Sequence, residues 1–269
     1  MLKEYLNTLA NAFRSVLGTT DKINAQNFAS KVNEVYEKGK AEGGDTETAY
    51  NEGVEAGKQA EYDRFWDEVQ QNGKRTDYTY TFAGRAWNDK TFVPKYDIVP
   101  TNTLHIFSFN MITDLVGILN SCGVRLDTSK DTNTSYLVNN SESLRNLPVL
   151  DTRSRKNINY YIYGNTNLKT IEKVILKDDG SQGFNDYSFT QNPKLEDIVF
   201  EGVIGKSVSF KDSPLLTDTS QDSIITALKD YSGTTTSPIL TVHTTVYNRM
   251  VELGKDALIT AKNWVLAKA

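Results

Sequence analysis

Five segments of the chain share one internal spacing, and this constrains the fold more than any other feature. Each carries an apolar or aromatic residue, another two positions later and a leucine six further on, and four of the five add an aliphatic residue three beyond that. They are Phe107, Phe109, Leu115 and Ile118; Tyr136, Val138, Leu144 and Leu147; Tyr160, Ile162, Leu168 and Ile171; Tyr187, Phe189, Leu195 and Ile198; and Val208, Phe210 and Leu216, where polar Thr219 takes the last place. The leucines are 29, 24, 27 and 21 residues apart. No segment alone has enough apolar surface for a core, so neighbours have to stack.

The fold class expected is α+β: an N-terminal helical segment followed by a leucine-rich-repeat-like solenoid with short parallel strands. The runs LPVLDT, EKVILKD and DIVFEG after the leucines are short and rich in β-branched residues, and read as strands laid side by side. Three residues before a leucine stand Ser141, Asn165, Asn192 and Ser213, small polar residues suited to satisfying backbone groups in a tight turn.

Four regions are expected. Residues 1–73 form a helical stalk for attachment and oligomerisation. Leu2, Tyr5, Leu6, Leu9, Phe13, Val16 and Leu17 make one helical stripe that Gly18 ends. A second helix starts at Asn24 and stops at Gly43-Gly44, and a third runs from about Glu47 to Gln71. The middle of the third helix, with Ala49, Gly53, Ala56, Gly57 and Ala60, has almost no large apolar side chain, a surface that suits either close approach by helices of other copies or a solvated spacer. Residues 74–104 form an aromatic-rich N-terminal cap, with Tyr78, Tyr80 and Phe82 alternating as in a half-buried strand. Residues 105–220 carry the repeats. Residues 221–269 form a C-terminal cap: a short helix with Ile224, Ile225 and Leu228, a strand at Pro238 to Val242, then a closing helix and terminal strand.

Little in the sequence points to catalysis. His105 and His243 lie at opposite ends of the repeats, and motifs for nucleophilic, phosphate-binding, zinc or calcium sites are missing. Asp127, Asp151 and Asp178 recur after successive strands, but equivalent positions in stacked coils leave nothing to raise one pKa selectively, as a glycosidase pair needs. The expectation is a protein with no catalytic residues, no metal site, no cofactor and no enzymatic activity. A net charge of −4 with both signs interspersed offers no track for nucleic acid. The single cysteine, Cys122, reads as a small buried apolar residue, and no stretch is apolar enough for membrane insertion. Tyr161 and Tyr163, alternating with an inward Tyr160 and Ile162, are the candidate ligand-binding residues, set to project outward where flat rings can stack on sugars.

The run Phe189-Thr-Gln-Asn192-Pro-Lys-Leu195-Glu-Asp-Ile198-Val-Phe200 resembles the BspA-type, or Treponema-type, leucine-rich repeat, F-x-x-C/N-x-x-L-x-x-I-x-F, and the other four segments match it at three or four positions. The resemblance covers about residues 100–220. It implies surface adhesins, or tail and receptor-binding proteins of phages and prophages of Gram-positive gut bacteria. The phrases LGTTDKINAQNFASKV and GKQAEYDRFWDEVQQNG resemble the helical leader of prophage tail or baseplate-associated proteins. With neither an export signal nor a wall-anchor motif in the sequence, the expectation is a virion protein made in the bacterial cytoplasm. Residues 1–73 would attach to other virion proteins, the chain would be a homo-oligomer, taken as a trimer, and the repeats would contact a host-surface glycan or protein. The alternatives are a purely structural virion spacer or assembly protein, and a bacterial cell-surface adhesin.

Overall fold

The computed structural model describes residues 2–24, 27–41, 46–133 and 135–269. The chain is α+β. It divides into two compact units, residues 1–65 and 66–269.

In the first unit, α1 (Leu2–Leu17) packs against α2 (Phe28–Ala41), with the Phe13 and Phe28 rings 5.6 Å apart and the Lys38 ammonium donating to the Val16 carbonyl. That donation satisfies one of the carbonyls left open at the end of α1. Helix α2 starts later than Asn24: the Asn24 carbonyl accepts from the Asn27 N–H in a turn, and the helix follows. The expected stop at Gly43-Gly44 lies outside the described residues. Helix α3 (Thr46–Gln70) is the long one, and a Cβ built on Gly53 or Gly57 would meet nothing within 4 Å.

In the second unit the chain passes repeatedly alongside itself, each pass parallel to the last. After α4 (Leu115–Cys122) come β1 (Val138–Asn139), β2 (Asn146–Asp151), β3 (Asn157–Ile158), β4 (Ile162–Tyr163), β5 (Thr170–Ile175), β6 (Gly183–Phe184), β7 (Asp197–Glu201) and β8 (Val208–Phe210). Then α5 (Asp218–Ala227), β9 (Ile239–Val242), α6 (Thr244–Glu252), α7 (Lys255–Ala261) and β10 (Val265–Lys268) close the unit. Parallel sheets form in the orders β2-β5-β7, β8-β9-β10, β1-β4 and β3-β6.

Two columns of backbone hydrogen bonds tie the passes together. In one, Arg145, Lys169, Glu196 and Thr217 donate in turn to the carbonyls of Thr113, Arg145, Lys169 and Glu196 at 2.8–3.0 Å. In the other, Tyr80, His105, Tyr136 and Leu137 donate to Leu104, Tyr136, Asn159 and Tyr161. Behind them a buried column of apolar side chains runs through Phe82, Phe107, Val138, Ile162, Phe189 and Phe210. Where it is aromatic, the rings stack, Phe82 on Phe107 at 5.6 Å and Phe189 on Phe210 at 5.4 Å. A second buried column holds Leu144, Leu168, Leu195 and Leu216.

These columns shift the first of the five segments. Phe107 lies level with Val138, not with Tyr136, because Phe107 donates to the Leu137 carbonyl and His105 to that of Tyr136. Buried Ile112, next to Thr113 in the hydrogen-bonded column, comes to the level of Leu144, and Leu115 and Ile118 lie in helix α4 where the later passes have a strand. Asp114 and Gly117 explain the helix: the Asp114 carboxylate caps its N-terminus by accepting from Gly117 N–H at 2.8 Å, and Gly123 closes it with φ +65°. Cys122, in its last turn, is half-buried and not a core residue.

Polar residues hold the turns. Asn192 Nδ2 donates to the carbonyls of Ile162, Phe189 and Thr190, while its Oδ1 accepts from Asn165 N–H, and Asn165 Oδ1 accepts from Ser141 N–H in the next pass. All three side chains are buried, and the ladder meets the backbone demand that burial creates.

Helices block the edges of the β2-β5-β7 sheet, which would otherwise offer unpaired backbone groups. At one edge Asn146 of β2 accepts from Val116 of α4 and donates to Asp114. At the other, the hydroxyls of Ser220 and Ser223 on α5 accept from the Ile198 and Phe200 N–H groups of β7. The N-cap of α5 is Thr217, whose hydroxyl accepts from Ser220 N–H. The Lys262 ammonium caps the far end of α5 by donating to the Ile225 and Leu228 carbonyls.

Candidate surface site

The residues that carry rings on the surface of the second unit are not the expected pair. Tyr161 is 0% exposed; it lies under the Arg155 guanidinium, whose carbon is 4.4 Å from the ring centroid. Burial pushes its phenol up to about 12. It cannot touch a ligand at the surface, and the inward and outward assignments of Tyr160 and Tyr161 are reversed. The reason is local backbone geometry. Tyr160 has φ +46°, a left-handed turn, and alternation of faces holds only for extended backbone. Past that bend Tyr161 and Ile162 both face the core, and Tyr160 is left half-exposed.

Tyr160 is the fourth member of a row of stacked rings, Tyr80, His105, Tyr136, Tyr160 and Tyr187. Their centroids are 4.8, 4.5, 5.0 and 4.8 Å apart and the interplanar angles are 18, 17, 20 and 6°. One ring comes from each pass, so the step of the row is the spacing of parallel chains, about 4.8 Å. Tyr163, the other expected residue, is half-buried beside the row and stands edge-on to Tyr160 and Tyr187 at 5.5 and 6.0 Å. At the Tyr187 end the Lys211 ammonium lies 5.7 Å from the ring centroid; at the other end Tyr80 is 55% exposed.

Four of the five ring residues, Tyr80, His105, Tyr136 and Tyr160, have φ between +46° and +57°. The left-handed region costs a side-chain-bearing residue roughly 1–2 kcal/mol, and glycine relieves that cost. Four residues further along each pass is a second left-handed position, filled by Gly84, Phe109, Asn140, Gly164 and Gln191, so glycine is used at two of these corners and at none of the ring corners.

The hydroxyls of Tyr80, Tyr136, Tyr160 and Tyr187 have no hydrogen-bond partner among the described residues and are not among the buried unpaired groups. Partial burial, then the neighbouring phenols, raise the Tyr160 pKa. His105 is fixed in the row by its Nδ1, 2.7 Å from Asn139 Oδ1. Beside the row the side chains of Asn102, Asn133 and Asn185 are uncharged; they hydrogen-bond to the Leu104, Ser135 and Tyr160 N–H groups. Charge stands at both ends: Asp186 and Lys211 at the Tyr187 end, and at the Tyr80 end Asp77, which pairs with Asn102 across the passes and accepts from Thr79 N–H at 3.0 Å.

Beneath the row, Arg155 and Asp131 form an ion pair with both side chains fully buried. Arg155 also donates to Thr103 Oγ1 at 2.7 Å and to the Asn133 carbonyl, so three passes are pinned by one guanidinium. Burial is the largest influence on the Asp131 carboxyl and pushes its pKa up, against the pull of Arg155.

The remaining chemical candidates of the sequence serve as turn and cap residues. His243 caps α6, its Nδ1 accepting from Thr245 N–H at 3.1 Å. Asp127 accepts from Ser129 N–H and Asp151 pairs with Arg153. Among the described residues no group of three or more His, Cys, Asp or Glu side chains could hold a metal ion, and no helix is long and apolar enough to cross a membrane.

The ring row was readable in part. Tyr136, Tyr160 and Tyr187 each stand eight residues before a leucine, a recurrence that marks a common position; what hides its exposure is the left-handed bend. Comparison with protein-family models, curated proteins and solved structures yields no match.

Proposed function

We propose that residues 105–220 are a leucine-rich-repeat-like solenoid of the BspA type in a non-enzymatic phage or prophage tail or baseplate-associated protein. Its helices at 1–73 attach to other virion proteins and to further copies of the chain, and its repeat region contacts the host cell surface. The observation that carries the reading is the row Tyr80–His105–Tyr136–Tyr160–Tyr187: one ring from each parallel pass, held half-exposed, four of the five at left-handed positions. Surface aromatics arranged by a rigid scaffold are what a binding face requires, since their rings offer large contact area at little cost in side-chain entropy.

A purely structural spacer remains the second reading, and the Asn165–Asn192 ladder with the buried Arg155 pair favours it, because both tie successive passes into a stiff unit. Incubating the fluorescently labelled full chain with a panel of Gram-positive gut bacteria separates the two. Saturable retention on cells of at least one strain is expected, and retention on none would leave the spacer.

A further inference from the structure

The stacked row turns ring edges, not ring faces, to solvent. Each interior ring has both faces covered by neighbours at 4.5–5.0 Å, so a sugar cannot lie flat on His105, Tyr136 or Tyr160. What these residues offer solvent is a line of ring edges and phenol hydroxyls at a constant step, with no partner in the protein among the described residues. Only Tyr80, at the end of the row, has a ring as exposed as 55%.

Four of the five rings stand at left-handed corners, where glycine would sit without strain. Stacking and partial burial offset that strain, and the ring edges left in solvent are the part of the row open to a ligand.

The surroundings narrow the ligand. Uncharged Asn102, Asn133 and Asn185 line the middle of the row, with Asp77 at the Tyr80 end and Lys211 at the Tyr187 end; a middle without cations disfavours a polyanion and suits a neutral polymer rich in hydroxyls. An extended β-1,4-linked glycan advances by one sugar ring in a step close to that of the stacked phenols, so successive sugars can each meet one hydroxyl. We propose that the edge of the Tyr80–Tyr187 row binds an unbranched, uncharged β-1,4-linked polysaccharide lying along it, with a terminal sugar stacked on the exposed face of Tyr80. This rests on the reading of the repeat region as a host-surface contact and names the chemistry of that contact.

The test uses the full chain, with cellohexaose and chitohexaose as probes and α-linked maltohexaose, which curls, as the control. Calorimetry and NMR titration would follow binding. The wild type is expected to bind one or both β-1,4 hexasaccharides and to bind maltohexaose at least tenfold more weakly. The double variant Tyr136→Phe/Tyr160→Phe keeps the rings stacked and removes two hydroxyls, and is expected to lose at least tenfold in affinity at unchanged melting temperature. Failure of both β-1,4 probes at millimolar concentration, equal binding of maltohexaose, or an unaltered double variant would overturn the proposal. Cell retention measured in parallel separates the two claims: cells held equally by wild type and double variant, with no hexasaccharide bound, reject the glycan and leave the host contact. Hydroxyl-dependent hexasaccharide binding with no cell retained supports the glycan site and rejects the host contact.

Discussion

Tyr160 and Tyr187 lie with ring centroids 4.8 Å apart and planes only 6° from parallel, although 27 positions separate them in the chain. The pairing follows from the backbone: Ile162 N–H donates to the Ser188 carbonyl at 3.0 Å, which sets the two passes side by side in register. The left-handed conformation at Tyr160 then turns its ring out of the core and onto the next. Replacing Tyr160 with glycine removes two stacked contacts and relieves one strained corner. The expected change in unfolding free energy is at most about 2 kcal/mol, against about 2–5 kcal/mol for Leu168→Ala in the buried leucine column. Urea titration of both variants measures the contrast, and a loss at Tyr160 as large as at Leu168 would show the row to be part of the core.

The opposite substitution tests the second line of corners. Gly164 has φ +73°, and a Cβ there would come within 2.3 Å of Asn140 Oδ1. Gly164→Ala therefore adds a steric clash to the left-handed penalty, and about 1–3 kcal/mol of destabilisation is expected. Gly18 is the control. It too is left-handed, at φ +63°, but has open space around it, so Gly18→Ala should cost only the conformational part. Thermal melts of the two variants compare them directly.

Which parts of the architecture the sequence reveals depends on the period that each part obeys. Leu144, Leu168 and Leu195 are legible because every pass buries a large aliphatic residue at that level, and the polar residues three positions earlier are legible because turns need them. The strands after the leucines obey the same logic: Leu147, Leu150, Ile171, Val174, Ile198 and Phe200 are the buried members of β2, β5 and β7. Reading fails where the backbone leaves the extended state. Tyr160 and Tyr161 exchange faces at a left-handed residue, and nothing in the letters Tyr-Tyr-Ile-Tyr announces that bend. It fails again at the first segment, where His105 takes the place of a tyrosine and Asp114 starts a helix, so that Leu115 satisfies the spacing without occupying the leucine level. The pair Asp131–Arg155 is invisible for a different reason: its partners come from separate passes, and only the three-dimensional stack brings them together.

That pair makes a prediction of its own. Removing one member of a buried ion pair leaves the other charged and desolvated, which costs about 3–5 kcal/mol, whereas exchanging both for apolar residues of similar volume is often neutral. Arg155 also donates to Thr103 and Asn133 in two other passes, so Asp131→Leu should lower the melting temperature steeply by stranding the guanidinium. The double variant Asp131→Leu/Arg155→Met should recover most of the loss. A double variant as unstable as the single one would mean that the hydrogen bonds to Thr103 and Asn133, and not the ion pair, hold the passes together.

The acid response has a definite sign. The Asp67 carboxyl is held below the usual range by hydrogen bonds from Lys95 and Tyr96, Asp97 by Arg125, Asp218 by Arg249 and Asp127 by Ser129. In each case the folded pKa is depressed, so the folded state binds fewer protons than the unfolded one. The stabilisation is present above the unfolded aspartate value of about 4 and is lost as pH falls through the lower folded values. Asp131 works the other way, its raised pKa favouring the folded state at low pH, but it is one group against several. The urea midpoint is expected to fall between about pH 5 and about pH 3, and a flat or rising midpoint would contradict the assignment.

Helix α3 ties stability to self-association. Each glycine in a helix interior costs about 1 kcal/mol relative to alanine, and beyond the local helix backbone no described atom lies within 4 Å of a Cβ placed at Gly53 or Gly57. Gly53→Ala/Gly57→Ala is therefore expected to raise the helicity and thermal stability of the single chain by about 1–2 kcal/mol in total. If further copies of the chain pack on this thin face, as proposed for the attachment segment, the same two methyl groups hold the partner helices apart. Sedimentation velocity should then show the wild type associating and the variant shifted toward the monomer at equal concentration. An associating variant with an unchanged constant would place the contact between copies elsewhere than on the Gly53–Gly57 face.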